Sequence, residues 1–188
     1  MADGIRKCVS EVMIYDADDS LSSDEAAEFV SDHQYGAWTV DKCGVKGAQQ
    51  LSRALAGYVG IQQLSFCTHG FPGGVYFPKG NLTAKNLSSV AVSPNLFQGE
   101  GRLLFMGCET ARTKAGEDFL LAAARHFFAG KGGIVGGSTI YNLGPSSGTR
   151  LPMVGDSSDG WHAGKLILTR VDGAGNVVGS KTVRPFGL

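Results

Sequence analysis

The chain reads as one α/β domain: a mostly parallel sheet flanked by helices and finished by a C-terminal β-hairpin. Three observations predict this. Short β-rich apolar runs at residues 9–15, 61–67 and 102–106 are interleaved with segments of helical periodicity. The spacing between those runs suits right-handed crossovers, which place helices on both faces of a parallel sheet. Two last runs, 165–171 and 176–183, surround the turn Asp172-Gly173-Ala174-Gly175 and read as a hairpin. With 188 residues and a hydrophobic content of 43%, one domain spanning 1–188 can bury a core without disulfides or metals.

The elements follow in order. The first run ends in an acidic cluster, Asp16, Asp18 and Asp19. Ser23-Asp24-Glu25 then offers helix-start chemistry, and Ala26, Ala27, Phe29 and Val30 supply an apolar stripe. Residues 37–40 read as a second strand. Residues 49–58 read as a second helix, with Leu51, Leu55 and Tyr58 on one face. The run 61–67 is a third strand that stops at Thr68-His69-Gly70. Gly73-Gly74-Val75-Tyr76-Phe77 looks like a hairpin or short flap, and residues 82–96 have an ambiguous pattern. A compact buried strand, 102–106, runs into Gly107-Cys108. A helix follows at 115–128, with Phe119, Leu120, Ala123 and Phe127 at core spacing. Residues 133–135 form another strand that ends near Thr139-Ile140-Tyr141-Asn142, and 143–159, rich in Gly, Ser and Pro, read as a long loop.

Composition narrows the function. Seventeen basic residues balance seventeen acidic ones, so no global field draws the chain to nucleic acid or to an anionic membrane. No run approaches the ~18 apolar residues of a membrane span, and the N-terminal residues lack the apolar stretch of a signal peptide. The four cysteines, Cys8, Cys43, Cys67 and Cys108, have no C-x-x-C spacing. That favours reduced thiols and a cytoplasmic setting. Oligomeric state is left open.

In parallel sheets ligands collect at the carboxyl ends of strands. His69 and Cys108 each follow a predicted buried strand, with room for one crossover between them, so their strands can be neighbours. A thiol must ionise to attack at neutral pH. The helix start after Cys108 and the nearby Arg112 would favour its thiolate. An imidazole at His69 can protonate a leaving group. Backbone N–H groups of Gly70 and Cys108 can face a tetrahedral oxyanion. Cys8, Cys43 and Cys67 are better read as small core residues. A zinc set of Cys67, His69 and Cys108 lacks paired-ligand spacing and a fourth ligand, so no metal is expected. Gly130-Lys131-Gly132-Gly133 lies in helix–loop–strand order without a Lys-Ser/Thr ending. It therefore reads as a helix stop at Gly130, and not as a phosphate loop.

These residues resemble a known group. Phe66-Cys67-Thr68-His69-Gly70 resembles the apolar-strand-then-His-Gly motif of the caspase-like (clan CD) cysteine peptidases. Leu103-Leu104-Phe105-Met106-Gly107-Cys108 resembles their strand ending in the nucleophilic cysteine. Gly107-Cys108-Glu109-Thr110-Ala111 and His69-Gly70-Phe71-Pro72-Gly73-Gly74 look most like bacterial caspase-like and CHAT-type domains. The resemblance runs over about residues 9–142. It lacks the Gln-Ala-Cys-x-Gly of animal caspases and the Asp-x-Cys-His-Ser of metacaspase-type enzymes.

The resemblance implies a caspase-hemoglobinase fold, a Cys108/His69 dyad with Gly70 as oxyanion donor, no cofactor, and a protein or peptide substrate cut after one specifying residue. Family members that cut after Arg or Lys place carboxylates at the tip of the first strand. Asp16 and Asp18 are therefore implied as walls of a pocket for a basic P1 side chain. Two other readings share these residues: a degenerate caspase-like module that binds partners without cutting, and a non-peptidase acyl or thioester hydrolase.

Overall fold

The computed structural model describes residues 6–33, 36–139, 153–156, 160–163 and 166–183. In chain order the elements are β1 (Glu11–Asp16), α1 (Ser20–His33), β2 (Val40–Val45), α2 (Ala48–Leu55) and β3 (Ile61–Cys67). Three short strands follow, β4 (Gly70–Phe71), β5 (Gly74–Val75) and β6 (Leu82–Thr83), then a 3-10 turn at Leu87–Ser89. The chain continues through β7 (Phe97–Phe105), α3 (Thr113–Phe127) and β8 (Gly133–Ser138). The last strands are β9 (Met153–Asp156), β10 (Gly160–Ala163), β11 (Leu166–Val171) and β12 (Val177–Val183).

Seven strands form the central sheet in the order β12-β11-β8-β7-β3-β1-β2. The five from β8 to β2 are parallel neighbours, while β11 and β12 add to the β8 edge antiparallel. The expected mostly parallel sheet with a C-terminal hairpin is thus present. The layers follow from side-chain alternation along β1. Val12 and Ile14 join the large core with Leu51 and Leu55 of α2 and Phe119, Leu120 and Phe127 of α3. Met13 faces the other way, in a smaller cluster with Ala26 of α1 and Cys67 of β3. Helices therefore cover both faces, and a strand buried on both sides carries the near-continuous apolar run seen at β1, whereas β3 interrupts its run with Gln62, Gln63 and Ser65. Beneath the strand tips, the Phe66 and Phe105 rings stack with centroids 4.9 Å apart, and Phe119 closes on Phe105 at 4.7 Å.

Several boundaries differ from the sequence reading, each for a local reason. The second strand begins at Val40, the last residue of the expected 37–40 run. Trp38 precedes it and donates its indole N–H to the buried Glu11 carboxylate at 3.3 Å. Helix α1 starts at Ser20, because Asp19 caps it ahead of the Ser23-Asp24-Glu25 signal. Strand β7 starts at Phe97, and its ladder with β3 shifts register between Ile61 and Gln63. The crossover from β3 to β7 is made by the three-stranded β4–β6 sheet and the 3-10 turn, without an α-helix. Inside the stretch expected to be a long loop lies β9, which pairs antiparallel with β10 just beyond it, Gly160 against Asp156. The expected strand end at Ile140-Tyr141-Asn142 and the rest of that loop lie outside the described residues. Among the described residues, no helix is long and apolar enough to cross a membrane.

Candidate active site

The topology selects one place on the sheet. From β1 the chain leaves through α1 to β2, on one side; from β3 it leaves to β7, on the other. The direction of winding reverses between β1 and β3, and a parallel sheet opens a crevice at the carboxyl ends of two such strands. The loop after β1 carries Asp16, Asp18 and Asp19, and the loop after β3 carries His69. Across this crevice His69 Nε2 lies 3.3 Å from Asp19 Oδ2.

Cys108 comes from the next strand along. The β3–β7 ladder pairs Phe66 with Phe105, and Met106 N–H donates to Phe66 O at 2.9 Å. Beyond it the two chains stay in backbone contact because glycines let them. A Cβ on Gly107 would stand 2.5 Å from Thr68 O, and one on Gly70 would stand 2.5 Å from Cys108 O. The segments 68–70 and 107–108 are thus brought side by side, with Thr68, Gly70, Gly107 and Cys108 at the close approaches and His69 between the first two. Cys108 is half-buried, whereas the His69 side chain is 56% exposed.

The flap fixes His69 from its other side. Pro72 and Gly73 turn β4 into β5; the turn needs a positive φ, which Gly73 supplies at 94°. Tyr76 N–H then donates to His69 O at 2.9 Å. Antiparallel pairs alternate between hydrogen-bonded and non-hydrogen-bonded positions, so the Gly70–Val75 pair belongs to the second kind and the Gly70 N–H points off the flap. The Phe71 ring lies over Gly74, where a Cβ would stand 2.6 Å from Cζ, and its centroid is 4.7 Å from that of Tyr76.

The turn after Cys108 is strained and tightly tied. Glu109 has φ 53° and Thr113 φ 65°, both in the left-handed region that side chains disfavour. Ala111 N–H donates to Ser138 O at 2.8 Å, and Thr110 Oγ1 donates to Phe105 O at 3.3 Å. These bonds lash the turn to the ends of β8 and β7. Helix α3 begins at Thr113. Arg112, expected to favour a Cys108 thiolate, places its guanidinium on the buried Glu109 carboxylate.

The three aspartates of the first loop divide the work. Asp16 is buried, and its Oδ1 accepts the Asp18 N–H at 2.9 Å. Asp18 pairs with Lys46, at the end of β2. Asp19 accepts the N–H groups of Leu21 at 3.3 Å and Ser22 at 3.0 Å, the pattern of a helix N-cap, and is the one that reaches His69. The Ser22 hydroxyl, above all, holds the Asp19 carboxyl below its ordinary range; burial opposes this, while the Ser22 N–H and His69 reinforce it. Sequence reasoning placed Asp16 and Asp18 in the site and left Asp19 out. The available signal was its place directly before the helix, since an N-cap carboxylate sits at the helix mouth beside the strand tips.

Elsewhere, Gly130 has φ 80° and follows α3, in keeping with a helix stop, and Lys131 Nζ donates to Phe97 O at 2.8 Å. Of the three cysteines expected in the core, Cys67 is buried, its thiol 3.9 Å from Ser22 O, whereas Cys43 is half-buried and Cys8 is exposed. Among the described residues, no three His, Cys, Asp or Glu side chains converge on a point where a metal could sit.

No curated protein matches this chain. A family model described as a domain of unknown function, DUF4347, matches residues 29–128, which begin within α1 and reach past α3. The match takes in His69, Gly70 and Cys108 and leaves out the Asp16–Asp19 loop. Because it spans more than half of the sequence, the chain belongs to the DUF4347 family.

Proposed function

We propose that the protein is a caspase-like cysteine peptidase with Cys108 as nucleophile and His69 as general acid and base. The observation that carries this reading is the backbone contact between the His69 and Cys108 segments at the tips of adjacent parallel strands, next to the switch-point crevice. The resemblance of both motifs to clan CD peptidases supports it, as does a mostly parallel sheet with helices on both faces.

In the reaction the Cys108 thiolate attacks the scissile carbonyl carbon. An S–C bond forms, and the carbonyl π pair moves to oxygen, which the Gly70 N–H stabilises. On collapse the C–N bond breaks, and the leaving amine takes a proton from the His69 imidazolium. Water, deprotonated by His69, then attacks the thioester carbonyl; a C–O bond forms, the C–S bond breaks, and Cys108 leaves as the thiolate with release of the carboxylic acid. The proton returns the dyad to its starting state, and no cofactor enters the balance.

Asp16 and Asp18 line the side where a P1 side chain would enter. Both carboxylates already have protein partners, so a P1 cation gains less there than from a free carboxylate. The expected preference for Arg or Lys is therefore modest. The test is a peptide library varied at P1. Cleavage should favour basic over acidic P1 and vanish in Cys108→Ala and His69→Ala. Asp18→Asn should lower kcat/KM for basic peptides by roughly three- to tenfold, the scale of a partly exposed ion pair. Hydrolysis that survives Cys108→Ala within tenfold contradicts the mechanism. A profile favouring Asp at P1 removes the pocket assignment alone.

A further inference from the structure

Imidazole has two nitrogens, and which one carries the proton is set by the partner of the other. In this fold the partner is Asp19, whose Oδ2 stands 3.3 Å from His69 Nε2. That carboxylate is held in place by its own backbone. Leu21 and Ser22 N–H groups and the Ser22 hydroxyl all donate to it, and the Asp19 carbonyl accepts Ser23 N–H at 3.1 Å. Its side chain is 25% exposed, so it is shielded more than the histidine it meets. The three-residue loop between β1 and α1 therefore delivers a fixed negative charge to the tip of β3.

We propose that Asp19 is a positioning residue for the dyad: it accepts Nε2–H of His69, which leaves Nδ1 as the nitrogen that exchanges a proton with Cys108 and the leaving group. This rests on the peptidase reading above. A carboxylate accepts a hydrogen bond only from a protonated ring nitrogen, so the contact selects one tautomer and favours the imidazolium once it forms. The other charges around the ring are committed elsewhere. Asp16 bonds to its own turn and Asp18 pairs with Lys46; on the β7–α3 turn, Glu109 pairs with Arg112 beside Cys108. Asp19 is the carboxylate that meets the His69 ring, at Nε2. Since the cap holds the carboxylate before any substrate arrives, nothing must reorganise when charge develops.

The difficulty for a test is that Asp19 also caps α1. Asparagine caps a helix about as well as aspartate but carries no charge, so Asp19→Asn separates the two roles. Ser22→Ala, which removes a cap hydroxyl and leaves the carboxylate, serves as the structural control. The measurement is the rate of Cys108 alkylation by iodoacetamide across pH, read by mass spectrometry, in the parent, Asp19→Asn, Ser22→Ala and His69→Ala proteins. The 15N shifts of His69 report its tautomer alongside. Asp19→Asn should slow Cys108 about tenfold near pH ~6 and converge with the parent near pH ~9, where a thiol ionises unaided. His69 should carry its proton on Nε2 in the parent and lose that preference in the variant, while Ser22→Ala, which loosens the cap but keeps the charge, retains the Nε2 proton and falls between the parent and Asp19→Asn in rate. If Asp19→Asn matches the parent in rate and tautomer while His69→Ala is slow, Asp19 is only a cap and the proposal falls. If His69→Ala also matches the parent, the dyad itself is refuted, and this proposal with it.

Discussion

Gly107 runs so close to Thr68 that a Cβ at position 107 would stand 2.5 Å from the Thr68 carbonyl oxygen. The obstacle is backbone, not a flexible side chain, so it cannot swing away. Gly107→Ala must push β7's tip off β3, just where Cys108 follows. Overpacking of this kind costs about 1–3 kcal/mol. Urea unfolding should show a loss in that range, together with slower Cys108 alkylation. A variant of parental stability and parental Cys108 reactivity would mean that the two strand tips do not need this contact.

Acid should loosen the fold at two identifiable carboxylates. Asp19 sits below its ordinary value, chiefly through the Ser22 hydroxyl. Asp41 is also lowered. Burial pushes it up, but the Lys7 ammonium at 2.7 Å and the Tyr58 hydroxyl at 2.9 Å outweigh that. For a group whose folded value is depressed, the stabilisation is complete above the unfolded value and is lost as pH falls through the folded one. The melting temperature should therefore hold above pH ~5 and fall as pH drops below the ordinary carboxylate value of ~4. Asp19→Asn combined with Asp41→Asn should flatten that fall. A melting profile of unchanged slope in the double variant would assign the acid limb to other groups.

The sequence exposes most of the frame and part of the site. Ile61–Cys67 and Thr113–Phe127 were legible to within about two residues, since the first is buried at six of its seven positions and the second keeps a strict apolar stripe. The flap was legible from its Pro-Gly-Gly punctuation. The start of α1 was not, because Ser23-Asp24-Glu25 offers the same capping chemistry as Asp19 one turn earlier. The first half of β7 is hidden by Gly99 and Gly101, which interrupt any strand period. The β9–β10 pairing lies in a stretch whose glycines and serines read as loop. His69, Gly70 and Cys108 stood out because each follows a buried run. Which of three neighbouring aspartates faces His69 depends on how the helix cap turns the chain back over the strand tips, and the rival signal at Ser23-Asp24-Glu25 hid the cap at Asp19.

In the proposed dyad His69 activates the Cys108 thiol. Exposure alone works against Cys108, which is half-buried, while Cys8 is exposed. Accessibility therefore predicts that Cys8 reacts first, and activation predicts the reverse. The deciding measurement is competitive alkylation of the native protein near pH ~6.5, with each cysteine quantified separately by mass spectrometry. An activated thiolate should make Cys108 react at least about tenfold faster than Cys8, and His69→Ala should abolish the advantage. A Cys108 no faster than Cys8, or one whose rate survives His69→Ala, would contradict the account.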